Sequence, residues 1–209
     1  WKTMIYLNLD QPDIALRKAK EEVQKIGLEY IDLNILKSIT QAEIINNNYD
    51  EALVGLKKIY KKTNDKQLKS RSSFISAQIY SNLNKIDSAK VFFSKTINSG
   101  INKSSDIYLR SKLKMMSLSD SHKPEDYQKL IKSERYPDRE ALILYYEALS
   151  YLKKNPDKAA NIFKKSLILK DEDKLLKLKT YRKLLDINYN KSNYLIASIY
   201  IDSLLIYED

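Results

Sequence analysis

An all-α fold built from repeated helix pairs is what this chain predicts, and three observations predict it. A small residue returns at the start of a helix-like segment at Ala15, Ala52, Ala89, Ala159 and Ala197, with spacings of 37, 37, 70 and 38 residues. The double-length gap holds one further segment, Lys123-Pro-Glu-Asp-Tyr127, with tyrosine in the alanine slot. A period in this range marks stacked helix pairs, each burying its apolar face against its neighbours. Next, only three glycines and four prolines occur in 209 residues, too few turn formers for a many-stranded β protein. Finally, the runs between turns are rich in Leu, Ile, Ala, Lys and Glu, which favour helix. The expectation is a right-handed α-solenoid of about six antiparallel helix pairs, forming a single domain over residues 1–209.

Each pair has an A helix and a B helix. The first A helix is a remnant, Trp1 to about Asn8. Its B helix starts at Pro12, whose fixed φ suits the first helical position, and ends near Gly27, suited to a left-handed cap. The second pair covers 29–46 and 49–62, joined by Asn46-Asn47-Asn48, a poor helix interior and a good turn. The third covers 65–83 and 86–99, stopped by Gly100. The fourth covers 105–119 and 124–133, with a polar linker from Ser117 to Lys123. The fifth covers 138–154 and 156–169, where Asn155 caps and Pro156 opens the B helix. The sixth covers 172–188 and 191–207.

Apolar spacing supports these elements. Ala89, Phe92, Phe93, Thr96 and Ile97 form a stripe at helical period, and Ala159, Ile162, Phe163, Ser166 and Leu167 repeat it. Small side chains are expected where the two helices of a pair cross, and large aromatics between consecutive pairs. The phrases Asn48-Tyr49-Asp-Glu-Ala52-Leu53 and Asn155-Pro-Asp-Lys-Ala159 resemble the turn and B-helix opening of the tetratricopeptide repeat.

The chain has no cysteine, which excludes disulfides, thiolate metal sites and a cysteine nucleophile. The one histidine, His122, sits in the linker Ser119-Asp-Ser-His-Lys-Pro124 with no second His or Cys to build a common metal site, and it reads as a solvated loop residue. Gly27, Gly55 and Gly100 are isolated, so no phosphate loop forms. Asp171-Glu172-Asp173 and Glu21-Glu22 suit a helix N-terminus and a solvated face. No catalytic residue, cofactor site or metal site is expected. No stretch reaches the roughly 18 apolar residues of a membrane span. The N-terminus lacks both an initiator Met and a signal peptide's apolar run, so the chain reads as a piece of a longer one. The net charge is +10, but basic residues are spread along the chain and interrupted by acids, as on solvated helix faces. Nucleic acid is therefore not favoured. The sixteen tyrosines read mainly as core with hydroxyls at the edge, and base stacking on them is the lesser alternative.

Other proteins are the expected partners. Polar A-helix residues supply the candidate contacts, because A helices line the concave face of such arrays. They are Asn34, Lys37 and Gln41 in the second pair, Arg71 and Gln78 in the third, and Arg110 and Lys114 in the fourth. Their positive balance suits an acidic partner segment. The competing reading pairs each arginine with a neighbouring acid.

The stretch Arg71-Ser-Ser-Phe74-Ile75-Ser-Ala77-Gln78-Ile79-Tyr80 resembles a helix of the tetratricopeptide lipoproteins of the Bacteroidota type IX secretion and gliding-motility system. Asp87-Ser-Ala89-Lys-Val-Phe92-Phe93-Ser-Lys is similar to its following B helix, and Tyr194-Leu-Ile-Ala197-Ser-Ile-Tyr200-Ile-Asp202-Ser203-Leu204 to a later repeat. Asn47 and Asn84 stand where that family has a turn glycine, and the fourth unit departs from its pattern. The resemblance implies a non-enzymatic scaffold on the periplasmic side of the outer membrane. It would be held there by a lipid anchor outside this chain, with secretion components as partners. Two other classes are carried beside it. One is the sensor or interaction repeat of a bacterial transcriptional regulator or signalling protein, in a cytoplasmic setting; the other is an RNA-binding helical repeat.

Overall fold

The computed structural model describes residues 5–6, 9, 11–27, 31–119, 123–169 and 173–208. The expected first A helix, His122 and the Asp171-Glu172 pair lie largely or wholly outside these residues. Eleven α-helices follow one another among the described residues: α1 (Pro12–Ile26), α2 (Leu33–Ile45), α3 (Tyr49–Lys62), α4 (Lys66–Asn82), α5 (Ile86–Ile97), α6 (Asp106–Ser117), α7 (Pro124–Ile131), α8 (Glu140–Tyr151), α9 (Pro156–Ile168), α10 (Lys174–Asn190) and α11 (Tyr194–Glu208). The fold is all-α and made of sequential helix pairs, as the repeat predicts.

The chain divides into two compact units, residues 1–112 and 113–209, with the division inside α6. In the first unit α1 packs on α2, α2 on α3, α3 on α4 and α4 on α5. In the second unit α7 packs on α8, α8 on α9, α9 on α10 and α10 on α11.

Local chemistry sets the helix ends. Asp32, Asp65, Asn155 and Asp173 cap α2, α4, α9 and α10 by accepting from backbone N–H groups of the first turn. Pro12, Pro124 and Pro156 open α1, α7 and α9. Gly27 and Gly100 both take positive φ, as expected of stop residues. Three turns share one geometry. Asn47, Asn84 and Ser192 adopt left-handed φ near +60°, and the next N–H reaches back to the carbonyls of Glu43, Tyr80 and Asn188. These six-to-one bonds satisfy carbonyls at the helix end.

The alanine register holds. Ala15, Ala52, Ala89, Ala159 and Ala197 are buried, and so is Tyr127 in the irregular slot. The expected placement of the aromatics needs correcting. Phe93 meets Phe74 edge-on with centroids 6.0 Å apart, and Phe163 meets Tyr145 at 5.5 Å. Both contacts lie within a helix pair rather than between pairs. The fifth A helix is also shorter than expected. Asp138 takes left-handed φ and residues 132–139 run as turns, so α8 begins at Glu140.

A close helix crossing joins α2 and α3 at Gly55. A methyl group built on Gly55 would collide with the Oγ1 of Thr40 and lie 3.1 Å from its Cβ. Thr40 cannot swing away cheaply, because it is buried and its hydroxyl donates to the Leu36 carbonyl at 2.7 Å.

Candidate functional site

Every A-helix residue predicted from sequence lies on the helix expected for it, but they do not behave alike. On α2, Asn34 and Gln41 are exposed and Lys37 is half-buried, with Lys37 Nζ donating to Asn34 Oδ1 at 3.3 Å. On α4, Arg71 and Gln78 belong to an exposed stripe with Gln67 and Asn82. No ion pair is seen on Arg71 among the described residues. On α6, Arg110 follows the competing reading: its Nε donates to Asp106 Oδ2 at 2.6 Å, one helical turn away. Lys114 is half-buried, with Nζ 5.7 Å from the centre of the Tyr146 ring. Burial lowers its pKa, and repulsion from Lys179 and Lys183 adds to the effect. Of the seven residues, Lys114 belongs to the second unit and the other six to the first.

A different feature of α4 has more chemical shape. Ser73, Ser76 and Tyr80 lie about 140–200° round the helix from Arg71, on the opposite face. Together with α3 and α5 that face bounds a cleft of about 390 Å³. Leu53 and Leu56 form an apolar wall from α3. Tyr80 and Phe92 form another, with ring centres 5.2 Å apart. Lys57, Lys61 and Lys95 contribute cations, and no carboxylate lines the cleft. Lys95 Nζ stands 4.5 Å from the centre of the Phe92 ring, which leaves it pinned beside the opening.

The cleft exists because α4 is serine-rich. Ser72 and Ser76 donate to carbonyls of their own helix, Leu68 and Ser72, at 2.8 and 2.9 Å. Ser73 is 2% exposed and its hydroxyl has no hydrogen-bond partner. When the left-handed turn residues Asn47, Asn84 and Ser192 are superposed in register, Ser73 corresponds to Leu36 of α2 and Tyr181 of α10. Ser76 corresponds to Ile39 and Leu184. Leu36 and Leu184 are 4% and 0% exposed, and Ile39 and Tyr181 are half-buried, so α2 and α10 place large apolar side chains where α4 has serine.

Sequence reasoning missed this cleft. Lys57 and Lys61 read as solvated lysines, and serine carries no burial signal. The available clue was the run Ser70, Ser72, Ser73 and Ser76 at helical spacing, with Ser where aligned repeats carry large apolar residues.

Buried carboxylates elsewhere are tied down. Glu43 accepts from Asn48 Nδ2 at 2.7 Å and lies 3.4 Å from Lys20 Nζ. Glu147 accepts from Gln128 Nε2 at 3.2 Å, linking α7 to α8, and burial raises its pKa. Among the described residues no group of three His, Cys, Asp or Glu could hold a metal ion, and no helix is long and apolar enough to cross a membrane.

No protein-family model and no curated protein matches the chain. Solved structures do. A tetratricopeptide repeat protein from Parabacteroides merdae aligns with 98% of this chain and 77% of its own length, at 15% identity and a TM-score of 0.61. BtubC (BKLC) from P. vanneervenii aligns over 96% of this chain and 89% of its own, at 12% identity and a TM-score of 0.53. The chain is thus similar in fold to a tetratricopeptide repeat protein, and at this identity the likeness shows the fold alone.

Proposed function

We propose that the chain is a non-enzymatic protein-interaction scaffold, residues 1–209 acting as one repeat domain. The observation that carries the reading is a helix-pair array with exposed polar A-helix stripes on one face of α4 and an open lysine-bearing cleft on the other. The stripe residues Arg71 and Gln78 and the cleft lysines Lys57, Lys61 and Lys95 are all exposed. Helix-pair arrays present such surfaces to other proteins. The stripe residues Asn34, Lys37, Gln41, Arg71 and Gln78, with Arg110 and Lys114, are proposed to contribute to partner contact, suited to an acidic segment.

The finer reading places the protein on the periplasmic side of the outer membrane, in the type IX secretion and gliding machinery, anchored by a lipid outside this chain. Its support is the Arg71–Tyr80 likeness. Proximity labelling of the full-length protein in its native cell tests it. Outer-membrane secretion components are the expected catch. Recovery of only cytosolic or DNA-bound proteins would sink the secretion assignment. Arg71→Glu with Arg110→Glu is expected to weaken capture, and unchanged capture by the folded double variant would return these arginines to surface charge.

A further inference from the structure

The cleft over the serine face of α4 combines depth, apolar walls and charge of a single sign. We propose that it takes a segment of a partner protein in which an apolar side chain is flanked by carboxylates. The inference rests on the scaffold reading above and names the chemistry of the partner.

Depth comes first. At the matching positions α2 carries the large side chains of Leu36 and Ile39, and α4 carries only the small ones of Ser73 and Ser76. The opening of about 390 Å³ has room for a large apolar side chain and the backbone beside it. Its walls are Leu53, Leu56, Tyr80 and Phe92, which reward an apolar anchor. Polarity comes second. The Ser73 hydroxyl is buried and unpartnered, so it can donate to a carbonyl or carboxylate entering with the anchor. Charge comes third. Lys57, Lys61 and Lys95 are exposed, and the lining holds no acid to neutralise them. Complementarity therefore selects carboxylates beside the anchor and rejects a basic segment.

The probe is a fluorescently labelled short peptide with one leucine flanked on each side by glutamates, followed by anisotropy. The parent chain should bind it, and binding should weaken as salt rises. Replacing the leucine by serine, or the glutamates by glutamines, should cost about tenfold or more in affinity. Lys57→Glu with Lys61→Glu and Lys95→Glu should do the same without unfolding the chain, since all three side chains are exposed. Ser73→Leu should fill the cleft and also abolish binding. If that variant fails to fold, the lysine variant still decides. Equal binding by the folded lysine variant overturns the proposal, as does failure of the parent to bind the peptide. Saturation by laurate with no peptide binding overturns it in favour of a fatty-acid ligand. Proximity labelling separates the two readings. Unchanged capture with the lysine variant sinks the cleft and leaves the scaffold; no protein captured by the parent sinks the scaffold itself.

Discussion

Two residues show how finely the packing is set. Gly55 permits a close crossing of α2 and α3, and its partner Thr40 is locked by a hydrogen bond. Gly55→Ala should therefore destabilise by about 1–2 kcal/mol, overpacking outweighing the better helix propensity of alanine. In a Thr40→Ala background the obstruction is gone, and the same substitution should stabilise by about 0.5–1 kcal/mol. Urea midpoints of the four proteins check this reversal of sign, and a uniform loss would disprove the crossing. Tyr127 is the second case. It is buried in an alanine slot, and its hydroxyl makes no hydrogen bond of normal geometry. Burial pushes its pKa up to about 12, opposed in part by the nearby Ser150 hydroxyl. Tyr145 is likewise pushed up to about 12, by burial and then by Tyr146. The neutral phenols belong to the folded state. Above pH 10 the unfolded chain releases these protons while the folded chain keeps them until about pH 12, so stability is complete below 10 and declines across that window. Tyr127→Phe should raise stability by about 1 kcal/mol at neutral pH and flatten part of the alkaline decline. Chemical denaturation at neutral and alkaline pH measures both effects.

At the scale of elements, the turns are interchangeable parts. Asn47, Asn84 and Ser192 hold one left-handed geometry, but only asparagine and glycine tolerate it well. Ser192→Gly should stabilise by about 0.5–1 kcal/mol, and Asn84→Val should cost about 1–2 kcal/mol. If thermal melts show both changes to be silent, the shared turn is wrong. This element-level order was legible from residues whose chemistry is local. Pro12, Pro124, Pro156, Gly27 and Asn155 act through their own backbone or first turn, and the helices begin and end beside them. Asp138 and Ser192 were not legible as left-handed, because neither residue type demands it. The pairing of Arg110 with Asp106 could be read from its one-turn spacing. The cleft could not, because it needs α3 and α5 on either side of a helix whose defining residues are small and polar.

At the scale of the molecule, α11 carries an apolar face that its own pair does not cover. Leu195 is 82% exposed and Ile206 75%, with Ile199 and Leu205 between them. In the register of the repeats, Leu195 and Ile199 stand where α9 has Asp157 and Asn161. Monomeric proteins rarely leave so broad an apolar surface bare. Leu195→Lys with Ile206→Lys should leave stability within about 0.5 kcal/mol, since neither side chain is packed. The same double variant should lower light scattering at high protein concentration. Scattering equal to that of the parent would show that this face does not drive association.

Packing of α3, α4 and α5 on one another in sequence order has a further consequence, in the order of biosynthesis. Every wall of the serine cleft lies between Tyr49 and Ile97, and none of it waits for the second unit. Contacts close in sequence form quickly, and domains fold from the N-terminus as they emerge from the ribosome. The cleft can therefore be complete while α7 to α11 are still being translated. A partner that recognises it could meet this protein as a nascent chain, which would make assembly a matter of translation timing as well as of affinity.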